Sequence, residues 1–429
     1  MQKIFKKIVV FIITLEAKIL IKRHKPVIIA ITGSVGKTSM KDAIYSIFKK
    51  QYSARKSDKS FNSDIGVPLT VLGLPNAWNN PFLWLKNIVD GLFIALFSRD
   101  YPDYLILETG VDRPGDMTKL TSWLKPNYVV LTRFPDVPVH VEFFATPEAV
   151  AVEKMILVEN LHPEGTVIYN HDDEMIKSHL SGVRHKTIGY SRYLNSQYNA
   201  SADEIIYKDD MPIGISFTLE HVGEVAKVRA EGAIGVPLVY TYTGAIALAV
   251  QCGISLKTAV EAVVEHVPPQ GRMRILKGLK GSVIIDDTYN SSPIAAEQAL
   301  QTLKEIKHAK RKIAVLGDML ELGQFSANSH EKMGQLAAEV VDALFTIGVR
   351  SRKTAEGALE NSLDEEYIFQ YEDVAKAGKE LQAYLKPGDV VLVKGSQGIR
   401  AEKVVEEVMQ EPEYASSLLV RQDRAWEHR

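Results

Sequence analysis

Apolar residues along this chain change their spacing repeatedly, and each change marks an element. Residues 4–21, IFKKIVVFIITLEAKILI, are largely apolar, with Lys3, Lys6 and Lys7 towards one end and Lys22, Arg23 and Lys25 at the other. Val27–Ile31 is an apolar, β-branched run that stops at a glycine-bearing turn, and a helix-forming segment follows over 39–50: strand, turn, helix. Residues 82–97, FLWLKNIVDGLFIALF, place Phe82, Leu85, Val89, Leu92, Phe93 and Leu96 on one helical face. Such a helix usually packs in a core or between domains; membrane contact, together with the N-terminal segment, is the second reading. Strands are predicted at Tyr104–Leu107 and Tyr128–Leu131, and a helix over 147–160. From Gly182 to Tyr240 the pattern becomes short alternating strands and turns, closed by helices near 241–252 and 255–265. Pro268-Pro269-Gln270-Gly271 reads as a linker. Beyond it, strands at Ser282–Ile285, Lys312–Leu316, 342–347 and 389–394 alternate with helices, the first at 294–306. That alternation predicts a second doubly wound domain, and a polar, partly ordered tail follows Pro412.

The expected fold is therefore α/β: a central phosphate-loop domain with a mostly parallel sheet, and a C-terminal Rossmann-like doubly wound domain. The boundaries predicted are 1–25 for the apolar, basic-flanked helix, 26–268 for the central domain and 269–429 for the C-terminal one. The N-terminal segment is uninterrupted only from Ile8 to Leu15, with Glu16 and Lys18 following, which is short of the ~20 apolar residues of a spanning helix. No small-residue cleavage site follows it, which argues against a signal peptide. Two readings stand: a helix lying on a membrane surface, or one packed on the first domain.

Composition changes this picture little. With 429 residues, 46% of them hydrophobic, the chain can bury a core in each domain, and a net charge of −2 gives nucleic-acid binding no support. The single cysteine, Cys252, allows no internal disulfide, fits a reducing cytoplasm and reads as a buried structural thiol.

The candidate chemistry starts at the turn after Ile31. In Thr32-Gly33-Ser34-Val35-Gly36-Lys37-Thr38-Ser39, the glycines let backbone N–H groups approach phosphate oxygens, and the helix N-terminus adds partial positive charge. Lys37 is placed for the β/γ-phosphates, and Thr38 or Ser39 for Mg²⁺. The loop is a shortened form of the Walker pattern, which would have glycine where Ile31 stands. Glu108 falls at the carboxyl end of a strand, where a carboxylate suits a nucleotide-bound Mg²⁺ or caps a helix. Asp116 reads as a helix cap, and Asn62 and Asp64 either face a ligand or cap the next helix. His140, Glu142 and Lys154 lie further along; a lone histidine or lysine is usually structural.

Taken in order, TGSVGKTS, FNSDIGVP, ETGVDRPGD, VHVEFF, GRMR, DDTYNSSP, LGDMLELG and VKGSQG form a specific set. The chain resembles the Mur ligase family from about residue 27 to about 410, and within it the type that joins D-alanyl-D-alanine to UDP-MurNAc-tripeptide. The resemblance implies an ATP-dependent amide-bond ligase working through an acyl phosphate. By motif position it implies that Gly33, Ser34, Val35, Gly36, Lys37, Thr38 and Ser39 cradle ATP, with Lys37 on the γ-phosphate. It likewise implies that Thr38 and Glu108 hold one Mg²⁺, and that His140 and a carbamylated Lys154 hold a second. Arg272 matches an arginine that reaches the phosphates, and Asp287 and Asn290 match nucleotide contacts from the C-terminal domain. Residues 268–271 become a candidate hinge.

Three features depart from the family pattern. About 26 residues precede the loop, so the usual N-terminal UDP-binding domain is expected to be missing. Pro237 and Thr241 stand where a histidine and an asparagine normally approach the purine. The apolar segments 4–21 and 82–97 have no counterpart. The expected substrates are a peptide or nucleotide-sugar-peptide carboxylate plus an amino acid or dipeptide, used by a cytoplasmic monomer, with possible placement at the inner membrane face. A poly-γ-glutamate-type amide polymer synthetase is the alternative, and a non-catalytic nucleotide-binding partner the remote one.

Overall fold

The computed structural model describes residues 2–57, 61–78, 80–423 and 426, with the side chains of residues 2–4 left out. Lys59 and Ser60, and the side chain of Lys3, lie outside the described residues.

The first sheet has nine strands: β1 (Val27–Thr32), β2 (Ala54–Lys56), β3 (Tyr104–Glu108), β4 (Tyr128–Leu131), β5 (Thr166–Asn170), β6 (Lys186–Ser191), β7 (Tyr198–Lys208), β8 (Met211–His221) and β9 (Glu224–Glu231). Their order is β2-β3-β1-β4-β5-β6-β7-β8-β9, parallel as far as β7 and antiparallel beyond it. The chain runs outwards from β1 in both directions, so the crevice beside β1 is where an open sheet of this kind receives ligands. Residues 182–240 were expected to form short strands; β7 and β8 instead run for 11 residues each. Their alternation is that of an antiparallel ribbon extended past the parallel body.

The second sheet comprises β10 (Arg274–Lys277), β11 (Val283–Asp287), β12 (Arg311–Gly317), β13 (Ala343–Ile347), β14 (Ile368–Tyr371) and β15 (Asp389–Lys394). Its order is β10-β11-β15-β12-β13-β14, and β10 alone is antiparallel. At the expected linker, the Gly271 N–H donates to Asp286 Oδ2 (3.1 Å) and the Gln270 amide to the Ser417 carbonyl (2.9 Å), so both residues are fastened to the second sheet's body. The tail is more ordered than its polarity suggests. Leu419 and Val420 are buried, and Arg421 bonds the Thr288 and Tyr289 carbonyls and Glu402.

Helices α1 (Gln2–His24), α2 (Lys37–Phe48), α3 (Gly66–Leu72) and α4 (Pro81–Phe97) fix the first sheet. α2 lies with helices Val236–Gln251 and Leu256–Val264 on the face carrying Ile29, Ile31 and Ile106, while α1, α3 and α4 cover Ile28, Leu105 and Leu107. Val9, Ile13, Ala17 and Leu20 of α1 are buried in that second layer, so α1 packs on the first domain. No helix among the described residues is long and apolar enough to cross a membrane.

α4 reverses the expectation of core packing. Asn80 caps it by accepting from the Phe82 and Leu83 N–H groups, with Pro81 in the first turn. The buried face is Trp84, Asn87, Gly91 and Ala95, whereas the richer apolar stripe faces outwards: Phe82 is 81% exposed and Phe93 65%. Close packing explains the choice. Gly91 admits α1 so tightly that a Cβ there would lie 2.2 Å from Glu16 Oε2, and no bulky stripe fits at that separation. Trp84→Ala should therefore cost about 3 kcal/mol of unfolding free energy in urea titrations, against about 0.5 kcal/mol or less for Phe93→Ser. Equal costs would show that α4 presents the other face.

Candidate active site

Strand β1 delivers its carboxyl end into a turn whose shape is set by two glycines. Gly33 has φ 148° and lies so near β4 that a Cβ would stand 1.9 Å from Thr132 Oγ1; Gly36 has φ 84°. Only glycine suits both positions. α2 then starts at Lys37 with no side chain capping its first amides, which leaves those donors for an anion.

Lys37 curls back so that Nζ donates to the Gly33 carbonyl (2.8 Å). Thr38 Oγ1 donates to Glu108 Oε2 at the end of β3 (3.0 Å), both side chains being buried. Glu108 thus pairs with the phosphate-loop threonine and caps no helix. Lys41 Nζ, fully buried, sits 4.0 Å from the same carboxylate oxygen and donates to the Ser57 carbonyl. Asp116, in the first turn of α5 (Asp116–Thr121), accepts from the N–H groups of Asp112 and Arg113, and so braces the loop after β3.

In front of this loop is a cavity of about 280 Å³ between the two sheets. The first body contributes Gly33, Ser34, Val35, Lys37, Asn62, Glu108, Asp112, His140 and Lys154; the second contributes Arg272, Tyr289, Asn290, Ser291, Ser292 and Gln397. Lys154 reaches it from α6 (Pro147–Glu159) and is buried. Thr38 lies just behind the wall. Ser39 and Asp287 line a smaller, adjoining cavity of about 50 Å³ with Gly36, Pro237, Thr241 and Lys394. Arg272 borders both.

The electrostatics suit a polyanion. Burial lowers the Lys37 ammonium pKa from its ordinary range, Arg272 pushes the same way, and Glu108 opposes them. Lys154 is also lowered, to about 7, by burial and then by repulsion from Lys37, against the attraction of Asp112 and Glu153. Arg272 stacks 4.1 Å over the Tyr289 ring, and its buried Nε has no hydrogen-bond partner. His140, held at φ 70°, sets Nδ1 2.6 Å from Glu321 Oε2 of the second body and Nε2 3.4 Å from Asp112 Oδ1. The first is a close contact short of hydrogen-bond alignment, and it holds the Glu321 carboxyl below its usual range.

Several residues in this set are not singled out in the sequence, although each lies within one of the motifs quoted above. Asp112 lies in the loop after β3. Glu321 follows β12, Lys394 ends β15 and Gln397 follows it, so all four sit at or beyond strand carboxyl ends, a rule that could have picked them out. Lys394 donates to Asp287 Oδ2 (2.6 Å) and to the Asn290 carbonyl (2.9 Å), so Asp287 is already paired. Thr241 spends its hydroxyl proton on the Pro237 carbonyl (2.7 Å), within the helix that was expected only from residue 241 but begins at Val236.

For a metal, Thr38 and Glu108 supply the oxygen donors that a hard cation needs, beside the phosphate loop. Among the described residues no three acidic, histidine or cysteine side chains form a ready-made metal cluster. A cation held there would complete its shell with other oxygens, those of water and of a bound phosphate.

A phosphate loop at the switch point of one sheet, facing a second doubly wound body across a cationic cavity, defines a nucleotide-dependent ligase of the Mur type. The chain belongs to the Mur ligase family: residues 86–247 match its middle domain and 271–397 the domain described as Mur ligase, glutamate ligase domain. Among its relatives is the UDP-N-acetylmuramoyl-tripeptide–D-alanyl-D-alanine ligase of Bacillus subtilis, 26% identical over 386 residues, covering 90% of this chain and 76% of that protein. The Mycobacterium leprae enzyme of the same name is 29% identical, covering 87% and 71%. The fold superposes on MurF ligase from Thermotoga maritima, solved in complex with ADP, with TM-score 0.76 and 22% identity over 94% of this chain and 84% of that one.

Lys37→Met should weaken ADP binding about tenfold or more, the loss expected for one charge-assisted contact, while leaving the thermal unfolding transition in place. Isothermal titration checks it, and unchanged affinity would remove Lys37 from the phosphate site.

Proposed function

We propose that this enzyme joins D-alanyl-D-alanine, or a closely similar amine, to the peptide carboxylate of a UDP-MurNAc-tripeptide-like precursor, with ATP as the phosphoryl donor. The single observation that carries this reading is the meeting of Lys37, Glu108, His140 and Lys154 from one body with Arg272 and Asn290 from the other around one cavity. Phosphoryl transfer depends mainly on positioning and charge neutralisation, and this set supplies both.

In the proposed reaction a substrate carboxylate oxygen attacks the γ-phosphorus and ADP leaves. The amine then attacks the acyl-phosphate carbonyl carbon, and inorganic phosphate leaves with the bonding electron pair. Lys37, the amides that open α2, and Arg272 hold the phosphates from two sides. Thr38 and Glu108 hold one Mg²⁺, which neutralises phosphate charge when bound. A second ion would rest on His140 and on Lys154 carrying a carbamate. Carbamylation turns a buried cation, already disfavoured beside Lys37, into an anion with two oxygen donors. Residues 26–268 and 269–429 act as the two closing bodies. Because Gln270 and Gly271 are fastened to the second, the freedom to close lies at Pro268 and Pro269. We place the enzyme in the cytoplasm, as a monomer.

Phosphate release from ATP and Mg²⁺, with UDP-MurNAc-tripeptide and D-Ala-D-Ala offered singly and together, tests the reading. Release that needs both, with one dipeptide added by mass, is the expected result. A ladder of additions on another acceptor would identify a polymer synthetase, and no turnover with any acceptor a nucleotide-binding partner.

The carbamate has its own signature. Its formation needs the neutral amine, so occupancy should rise as pH climbs through about 7, where Lys154 loses its proton. Ligation in bicarbonate-free buffer should fall and recover on adding bicarbonate, more completely at pH 8 than at pH 6. Indifference to bicarbonate at both values would leave Lys154 an amine.

A further inference from the structure

The outward face of α1 and α4 is the largest feature that the ligase reading leaves unused. The two helices run side by side in the same sense, Glu16 lying against Gly91 and the Arg23 guanidinium capping the Ala95 and Leu96 carbonyls. Every exposed phenylalanine among the described residues is on this pair: Phe5, Phe11, Phe82, Phe93 and Phe97. Trp78, half exposed, stands on the loop entering α4. An uncovered apolar surface of this extent is rare on a monomer and marks an interaction site.

Charge selects the occupant. Among the described side chains of α1 the exposed charges are all basic, namely Lys6, Lys7, Lys18, Lys22 and Arg23, although the chain as a whole is slightly acidic. The one acidic residue of α1, Glu16, is buried. On α4, Lys86 and Asp90 pair with each other. A second copy docked face to face would bring two rows of lysines together with no acidic residues on α1 to meet them, so self-association is opposed. Neither helix is long and apolar enough to cross a bilayer. Apolar side chains with flanking lysines and an interfacial tryptophan are the pattern of a surface that lies in the headgroup region of an anionic membrane.

We propose that the α1–α4 face docks this enzyme onto anionic lipid bilayers, with Phe5, Phe11, Phe82, Phe93 and Phe97 entering the acyl boundary and the α1 lysines meeting lipid phosphates. The face adjoins the cavity. Lys6 Nζ is 3.8 Å from Asp64 Oδ1, and Asn62, two residues away, is part of the cavity wall. Docking would thus hold that side of the site beside the membrane surface. The inference does not depend on which carboxylate is ligated.

The test is co-sedimentation of the full chain with vesicles of phosphatidylcholine, with and without phosphatidylglycerol. The expected result is binding to the phosphatidylglycerol vesicles that weakens as salt is raised, with a blue shift of tryptophan emission that is lost in Trp78→Ala. Phe11→Asp with Phe93→Asp should reduce partitioning about tenfold or more, and Lys18→Glu or Lys22→Glu about fivefold each. All these variants should keep wild-type ADP affinity, since none touches the cavity, and that shows they are folded. Absence of binding to phosphatidylglycerol vesicles at low salt overturns the proposal, as does full binding by the double aspartate variant. Concentration-dependent dimerisation abolished by the same substitutions would assign the face to a second copy and overturn it too.

Discussion

Mutual repulsion among clustered cations is the constraint around which this molecule is arranged. Lys37, Lys154 and Arg272 share one cavity; burial comes first in lowering the affinity of both lysines for their protons, and repulsion from Arg272 adds to it at Lys37 and repulsion from Lys37 at Lys154. Glu108 and Asp112 offset part of this, but Glu108 also faces Thr38 and lies near the buried Lys41. Such repulsion opposes the folded arrangement and is relieved where a polyanion binds. Folding strain is thereby converted into ligand affinity, as expected of a site built for phosphates.

Topology is what makes the gathering possible. β1 occupies the point where the first sheet's order reverses, so the turn at Gly33–Gly36 opens into a crevice with β3 supplying Glu108 on one side. The second sheet points the carboxyl ends of β11 and β15 at the same crevice, bringing Asn290 and Gln397 to it. The His140–Glu321 contact, and Gly323, where an added Cβ would come within 3.0 Å of the Glu142 side chain, join the bodies at the rim. Parallel sheets present their loops in this way because every strand end on one side carries the connection that can hold function.

Much of this was legible in the chain. The β-branched run before Gly33, the loop glycines and the alternation after residue 271 are local signals, and local signals survive into the fold. What was not legible depends on partners distant in sequence. Nothing near Asp287 indicates that Lys394, 107 residues away, has already paired with it. The stripe on α4 read as core because amphipathicity tells which face is apolar and not which face is covered. The small residues Gly91 and Ala95 made the contact instead, as closeness of approach favoured them over bulk. The ribbon of β7 and β8 likewise read as short strands, because its 11-residue length is fixed by pairing with neighbouring strands and not by any local pattern.

The spacing of the site along the chain also bears on how the protein comes into being. β1 and its loop leave the ribosome before any of the opposing wall, and so do α1 and α4, whose last residue is Phe97. The cavity closes only when Arg272, Asn290 and finally Gln397 have been made, and Arg421 then ties the tail to the segment after β11. Between Lys154 and Arg272 the nascent chain therefore carries half of a phosphate site with no opposing wall. The two halves of the site meet only after Gln397 has been made, while the apolar helical pair is complete as soon as Phe97 is.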